Sequence, residues 1–209
     1  MPDFSDQFRQ EFNQLLRWRR DVRSFRKDPI EGAILERCFA TFNLAPSVGL
    51  SEPWRVVSIT SKTARNNAVA NFEAENTDAL KGYSGEKAKL YSSLKLSGMN
   101  DAPVQLAVYC DDKTGKGQGL GASSMPETKR YSVVAAITQF WLTARAEGLG
   151  VGWVSILDPV RMSRDLNVPK DWALIAYLCV GWPEENKTVP TLEQAGWEKR
   201  SKTLERLER

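Results

Sequence analysis

The spacing of apolar residues predicts an α+β fold in which helices surround one modest sheet. Three observations carry this. Two helical patterns precede the first strand, at about residues 4–18 and 31–43. Four short apolar runs then read as strands. The connections between those runs differ too much in length for a regular barrel or a doubly wound sheet.

In the first helix Phe4, Phe8, Phe12, Leu15 and Leu16 recur at three- and four-residue spacing. In the second, Ile34, Leu35, Cys38, Phe39 and Phe42 share a face, and Pro46 disfavours helix at the residue before it. Trp54–Thr60 reads as a strand. Residues 61–97 are polar and helical, broken at Gly82-Tyr83-Ser84-Gly85, a hinge or lid tip. Val104–Cys110 is the second strand, and a glycine-rich loop over 111–126 follows. Residues 128–147 form the strongest helix, with Val133, Ala136, Ile137, Phe140, Trp141 and Ala144 on its apolar face and Gly148 as its stop. Val151–Ile156 is the third strand, and Asp158-Pro159 supplies an N-cap and a first-turn proline for a short helix. Trp172–Val180 is apolar almost throughout and is placed centrally in the sheet. From 183 onward the chain reads as a polar, extended arm.

The 209 residues suit one large domain, and 42% hydrophobic with 26% charged residues is ordinary globular composition. A net charge of +3 spread along the chain gives no basic stripe for a nucleic acid. Cys38, Cys110 and Cys179 stand far apart in apolar runs, so buried reduced thiols are expected rather than disulfides or a zinc site. There is no signal-peptide pattern and no stretch of about 20 apolar residues, and a cytoplasmic protein away from membranes is expected. The chain has no histidine. That argues against triad hydrolases, which need an imidazole base, and against most catalytic zinc sites. Acid–base work would fall to carboxylates, lysine, tyrosine or a cofactor.

Three segments could carry chemistry. Arg19-Arg20-Asp21-Val22-Arg23 places three guanidiniums within five residues, a multidentate fit for phosphate oxygens; equally, cations suit a solvated helix end. Ala45-Pro46-Ser47-Val48-Gly49, followed by Glu52-Pro53-Trp54, can present backbone N–H groups and a hydroxyl to a flat ligand, or can simply join a helix to a strand. In Gly150-Val151-Gly152-Trp153-Val154-Ser155-Ile156, Gly152 permits close approach of something planar and Ser155 is a polar group needing a partner; a core strand is the plainer reading. The glycines at 115–121 match no nucleotide-binding motif and read as a mobile loop. Trp141, Trp172 and Trp182 read as core or interface residues.

These segments, with Ser93-Leu94-Lys95-Leu96, Tyr131-Ser132 and Ala144-Arg145-Ala146-Glu147-Gly148, resemble the nitroreductase superfamily over residues 10–200. Asp21 after two arginines resembles its BluB branch, the 5,6-dimethylbenzimidazole synthases. The resemblance implies a nitroreductase-like fold with a mainly antiparallel sheet flanked by helices. It also implies a single domain over 1–209 with a lid at 72–99 and an arm at 183–209, and an intertwined homodimer with FMN at the subunit interface. The implied activity is oxygen-dependent fragmentation of reduced FMN to 5,6-dimethylbenzimidazole, the lower ligand of vitamin B12, with release of erythrose 4-phosphate and no metal. A separate flavin reductase would supply FMNH2. Carried over by position, Arg19, Arg20 and Arg23 would hold the phosphate and the polar edge of the ring, with Val22 also at the cofactor. Asp21 would be the acid–base residue, and Ser155 would hydrogen-bond the flavin as a second catalytic group. Pro46, Ser47, Leu94 and Trp153 would line the cofactor, and Lys199 or Arg200 would add a late phosphate contact. The rival readings are an NAD(P)H-dependent nitro- or quinone reductase and a flavin-storage module. Glu52 and Arg55 stand where the family often has glutamine and asparagine, and could pair with each other.

Overall fold

The computed structural model describes residues 3–93, 98–201 and 203–209. Its elements, in order, are α1 (Asp6–Trp18), α2 (Gly32–Ala40), β1 (Trp54–Ser58), α3 (Lys62–Leu80), α4 (Gly85–Ser93), α5 (Gly98–Asp101), β2 (Val104–Asp111), α6 (Thr128–Ala146), β3 (Gly150–Val154), α7 (Pro159–Asp165), β4 (Trp172–Gly181) and the one-turn α8 (Thr191–Gln194). The sheet order is β1-β2-β4-β3, and every pairing is antiparallel. β4 is central, as its continuous apolar run predicts.

Both faces of the two inner strands are buried, which explains why they do not alternate with polar residues. Leu106, Val108 and Cys110 of β2 and Leu178 and Val180 of β4 pack with Val133, Ile137 and Phe140 of α6 and with Cys38 of α2. Ala107, Tyr109, Tyr177 and Cys179 point to the other side, where Ala68 of α3, Met99 of α5 and Met162 of α7 close the second layer. The period-two geometry of a strand divides one apolar run between two cores. Burial pushes all three thiols up, Cys38 to about 11 and Cys110 and Cys179 to about 12. They are inert core groups.

Local stops behave as their residues dictate. Asp158 accepts hydrogen bonds from the N–H groups of Val160 (2.8 Å) and Arg161 (3.0 Å), with Pro159 at the first position of α7. Gly148 ends α6 at φ +85°, and the Leu149 N–H reaches back to the Ala144 carbonyl at 2.8 Å. The predicted break at 82–85 is present, with α4 starting at Gly85 (φ +58°). Buried Asn71 of α3 exchanges two hydrogen bonds with the Asp158 backbone, at 2.9 and 2.8 Å, and so ties the long helix to α7.

Three expectations shift. The second helix is α only to Ala40, and Thr41–Leu44 tightens to a 3-10 turn. The third strand stops at Val154, leaving Ser155 beyond it. The arm is not wholly extended, because Pro190 leads into α8. Leu94 and most of the Ser93–Leu96 motif lie outside the described residues. No described helix is long and apolar enough to cross a membrane.

Candidate active site

β3 is the edge strand, and the segment after α1 lies along it. Asp21 forms a parallel bridge with Val151, and the Val22 N–H donates to the Val151 carbonyl at 3.0 Å. The next outward N–H of the edge, on Trp153, donates to Asp21 Oδ1 at 2.9 Å. The carboxylate thus occupies a position that a neighbouring strand's carbonyl would fill, and its direction is set by the sheet. Its other oxygen faces Arg23, with Nε 3.5 Å from Oδ2.

Two glycines make this approach possible. A Cβ on Gly152 would run into the Val22 carbonyl oxygen, and one on Gly150 would stand 2.7 Å from Val22 Cγ2. Gly152 therefore admits the chain's own backbone, not a planar ligand as its place in the sequence suggests. Phe25, 1% exposed, anchors the downstream end. A Cβ on Gly98 would lie 2.9 Å from its ring, and one on Gly181 3.1 Å. Sequence reasoning missed this seat, although the two glycines of Gly150-x-Gly152, on one face of an apolar strand, carried its signal.

The segment opens on a cleft of about 360 Å³. Arg19, Arg20, Asp21 and Arg23 line one wall, and Pro190–Glu193 with Glu198, Lys199 and Arg200 line the other. The arginines differ in their contacts. The Arg19 guanidinium lies 4.8 Å from the centre of the Trp141 ring, which in turn packs 6.4 Å from Trp153. Arg20 donates to the Thr188 carbonyl through Nε (2.9 Å) and Nη2 (2.5 Å), and so holds the arm in place. Burial and then Arg200 lower the pKa of Arg19, while Asp21 opposes them. Arg20 is lowered by burial, Arg200 and Arg19. Cations that repel one another around a cleft are a site for an anion, since a bound phosphate would relieve the repulsion.

Asp21 has its pKa raised, first by burial, against the Trp153 N–H, Arg23 and Arg19, all of which lower it. Desolvation outweighs the arginines, and the carboxyl is held closer to neutrality than an ordinary aspartate.

The other expected residues lie elsewhere. Ser155 is exposed, so the premise of a buried hydroxyl fails. Ser47 accepts from the Glu52 N–H at 3.1 Å, inside a loop where Gly49, Leu50 and Glu52 all have positive φ. Val48 of that loop is tied to Ser132, near the start of α6, whereas Arg19 meets Trp141, nine positions along. At 1.5 Å per residue those points are about 14 Å apart along the helix. Within one chain, then, Pro46 and Ser47 do not line the arginine cleft. The Glu52 and Arg55 side chains form no ion pair with each other: Glu52 binds Lys116 and Arg55 binds Asp111 at 2.8 Å, although Arg55 Nη1 also donates to the Glu52 backbone carbonyl at 3.1 Å. Trp172 packs against Tyr109, and the Trp182 N–H donates to the Pro29 carbonyl at 3.2 Å, as structural roles require.

The donor set fits the phosphate end of FMN: four guanidiniums and an ammonium line the cleft, outnumbering the carboxylates of Asp21, Glu193 and Glu198. Comparison with known proteins identifies the family. The nitroreductase family model matches residues 16–182. A 5,6-dimethylbenzimidazole synthase of Rhodospirillum rubrum is 50% identical over 199 residues, which cover 95% of this chain and 94% of that one. One of Rhodobacter capsulatus is 46% identical, with 94% and 95% covered. Iodotyrosine deiodinase bound to FMN and 3-iodo-L-tyrosine shares the fold with a TM-score of 0.75 at 20% identity, over 95% of this chain and 99% of that one. A BluB-like flavoprotein of Clostridium difficile 630 does so at 0.64 and 20%, over 86% and 93%. The chain belongs to the nitroreductase family and, within it, to the 5,6-dimethylbenzimidazole synthase branch.

Proposed function

We propose that this chain takes reduced FMN and O2 and fragments the flavin to 5,6-dimethylbenzimidazole and erythrose 4-phosphate, with the reduced flavin delivered by a separate reductase. The observation that carries this is the joining of an anion cleft to a sheet-anchored carboxyl of raised pKa in a chain without histidine.

Bound FMNH2 would supply both the electrons for oxygen and the carbon skeleton of the product. The protein's part is to hold, shield and move protons. Arg19, Arg23, Lys199 and Arg200 would hold the phosphate, while Arg20 steadies the arm that brings the last two to the cleft. Asp21 would accept and return protons. Burial raises its pKa above that of an ordinary aspartate, which favours proton uptake, and its fixed Oδ1 leaves Oδ2, beside Arg23, as the working oxygen. Val22 and Trp153 would contribute backbone beside the ring, with Ser155 as a hydroxyl just past the strand. The lid over 72–99, Leu94 included, would exclude water.

A homodimer completes this reading. α1 has no buried residue, and Phe4, Phe8, Phe12 and Leu16 are 53%, 43%, 44% and 42% exposed. The first three rings stack in a row, at 4.6 and 6.2 Å. Such a stripe needs a cover, and a second copy would provide it. A second copy would also bring Pro46 and Ser47 to the cleft that they cannot line in their own chain.

The test is to mix purified protein with FMNH2, admit oxygen and analyse the products by chromatography and mass spectrometry. Dimethylbenzimidazole in proportion to the flavin lost is expected. Flavin lost without it overturns the proposal, and rapid bleaching of bound FMN by NADPH would instead indicate an ordinary reductase. Asp21→Asn should still bind FMN while yielding far less product; an undiminished yield removes Asp21 from the chemistry.

A further inference from the structure

The arm reaches the cleft through a contact that the reaction alone does not require. Residues 198–201 form no helix or strand, and Lys199 and Arg200 are exposed, so something upstream must set their position. The Arg20 grip on Thr188 lies more than ten residues away. Between them, Gly196 (φ +76°) turns the chain, and the Trp197 N–H closes back on the Leu192 carbonyl at 2.9 Å. The Trp197 ring then leaves the arm and packs on the lid. It meets Tyr83 edge-on at 5.4 Å and 77°, and Tyr91 at 6.3 Å. The two tyrosines stack on each other at 4.9 Å, and the Tyr91 hydroxyl donates to Asn76 Oδ1 of α3 at 2.8 Å. The half-buried indole is therefore fixed by groups that are themselves fixed, two and three residues before the exposed cations.

We propose that Tyr83, Tyr91 and Trp197 form a latch between lid and arm, and that Trp197 is the positioning residue that keeps Lys199 and Arg200 over the phosphate cleft. Displacing the 81–93 segment withdraws both cations, so lid closure and phosphate seating are one event. Three residues of extended chain span about 10 Å, and with the indole unseated that slack removes Arg200 from the cleft. This inference rests on the FMN reading above.

The test compares the affinities of FMN and riboflavin, which differ in the phosphate alone. Trp197→Ala should weaken FMN binding about tenfold or more, the worth of a charge-assisted contact, while riboflavin binding stays within about twofold. Trp197→Phe should recover most of the loss. Combined with Lys199→Gln and Arg200→Gln together, Trp197→Ala should cost little beyond that double variant alone, because the tryptophan acts through the two cations. Equal weakening of both flavins would assign Trp197 a merely structural role and overturn the latch, as would unchanged FMN affinity. If Trp197→Ala does not fold, Tyr91→Ala must give the same phosphate-selective loss from the lid side, and its failure to do so overturns the latch equally. Wild-type protein that binds neither flavin overturns the FMN reading itself, and the latch with it.

Discussion

Replacing Gly152 by alanine drives a methyl group into the Val22 carbonyl oxygen, a backbone atom that cannot rotate away. Either β3 or the 19–23 segment must move. Overpacking against a fixed wall costs about 1–3 kcal/mol. Displacement also weakens the Val22–Val151 and Trp153–Asp21 hydrogen bonds, each worth about 0.5–1.5 kcal/mol. The bonds are strained rather than fully lost, so the sum is about 2–4 kcal/mol. Gly150→Ala meets Val22 Cγ2, Cβ and Cγ1 at 2.7, 3.0 and 3.1 Å, a contact that rotation of the valine does not clear but that is looser than the backbone clash at Gly152, and should cost about 1–2 kcal/mol. Gly115→Ala has nothing within 4 Å of the new methyl, and should stay within about 1 kcal/mol of the parent, on the stabilising side. Urea unfolding of the three variants beside the parent measures these differences, provided the denaturant slope is unchanged. The order Gly115, Gly150, Gly152 of increasing damage is expected, with Gly152→Ala also weakening FMN binding. A Gly152→Ala midpoint equal to that of Gly115→Ala would refute the claim that the glycine seats the site segment.

Two further outcomes follow from the site and from α1. The Asp21 pKa is raised by the fold from its ordinary 3.8, so the ionised carboxyl destabilises the native state. That cost is absent below 3.8, grows as pH rises through the interval to the folded pKa, and persists above it. Asp21→Asn should therefore unfold at a higher temperature than the parent at pH 7, with the gain fading on acidification toward pH 4; equal midpoints at pH 7 contradict the raised pKa. Phe8→Asp with Phe12→Asp puts charges on the exposed ring stripe of α1; on the proposed homodimer, light scattering should report a monomer for this variant and a dimer for the parent. A mass unchanged from the parent's would place the dimer contact elsewhere.

Much of the architecture was legible locally. Periodicity placed α1, α6 and all four strands, because a helix or strand with an apolar face repeats at its own period. Asp158-Pro159 and Gly148 marked helix ends through caps that act within one turn. The boundaries that slipped have local reasons too. Ser155 looked like strand because its neighbours are apolar, but β3 loses its partner at Val154, where the pairing with β4 ends at Tyr177. Contacts between distant residues were not legible. Nothing in the local sequence brings Trp197 to Tyr83 and Tyr91, and nothing in it says that Glu52 would find Lys116.

Arg19-Arg20-Asp21-Val22-Arg23 shows where the division falls. By itself the sequence determined that three guanidiniums and one carboxylate would hang from at most about 17 Å of chain, the reach of five extended residues. With no histidine in the chain, it also determined that proton transfer would rest on groups such as that carboxylate. Only the tertiary structure decided which was which. The edge of β3 captured Asp21 through the Trp153 N–H, the arm captured Arg20 through Thr188, and Trp141 took Arg19. The physical reason is that a charge's role depends on what desolvates and orients it. Burial and hydrogen-bond direction come from residues more than a hundred positions away in the chain.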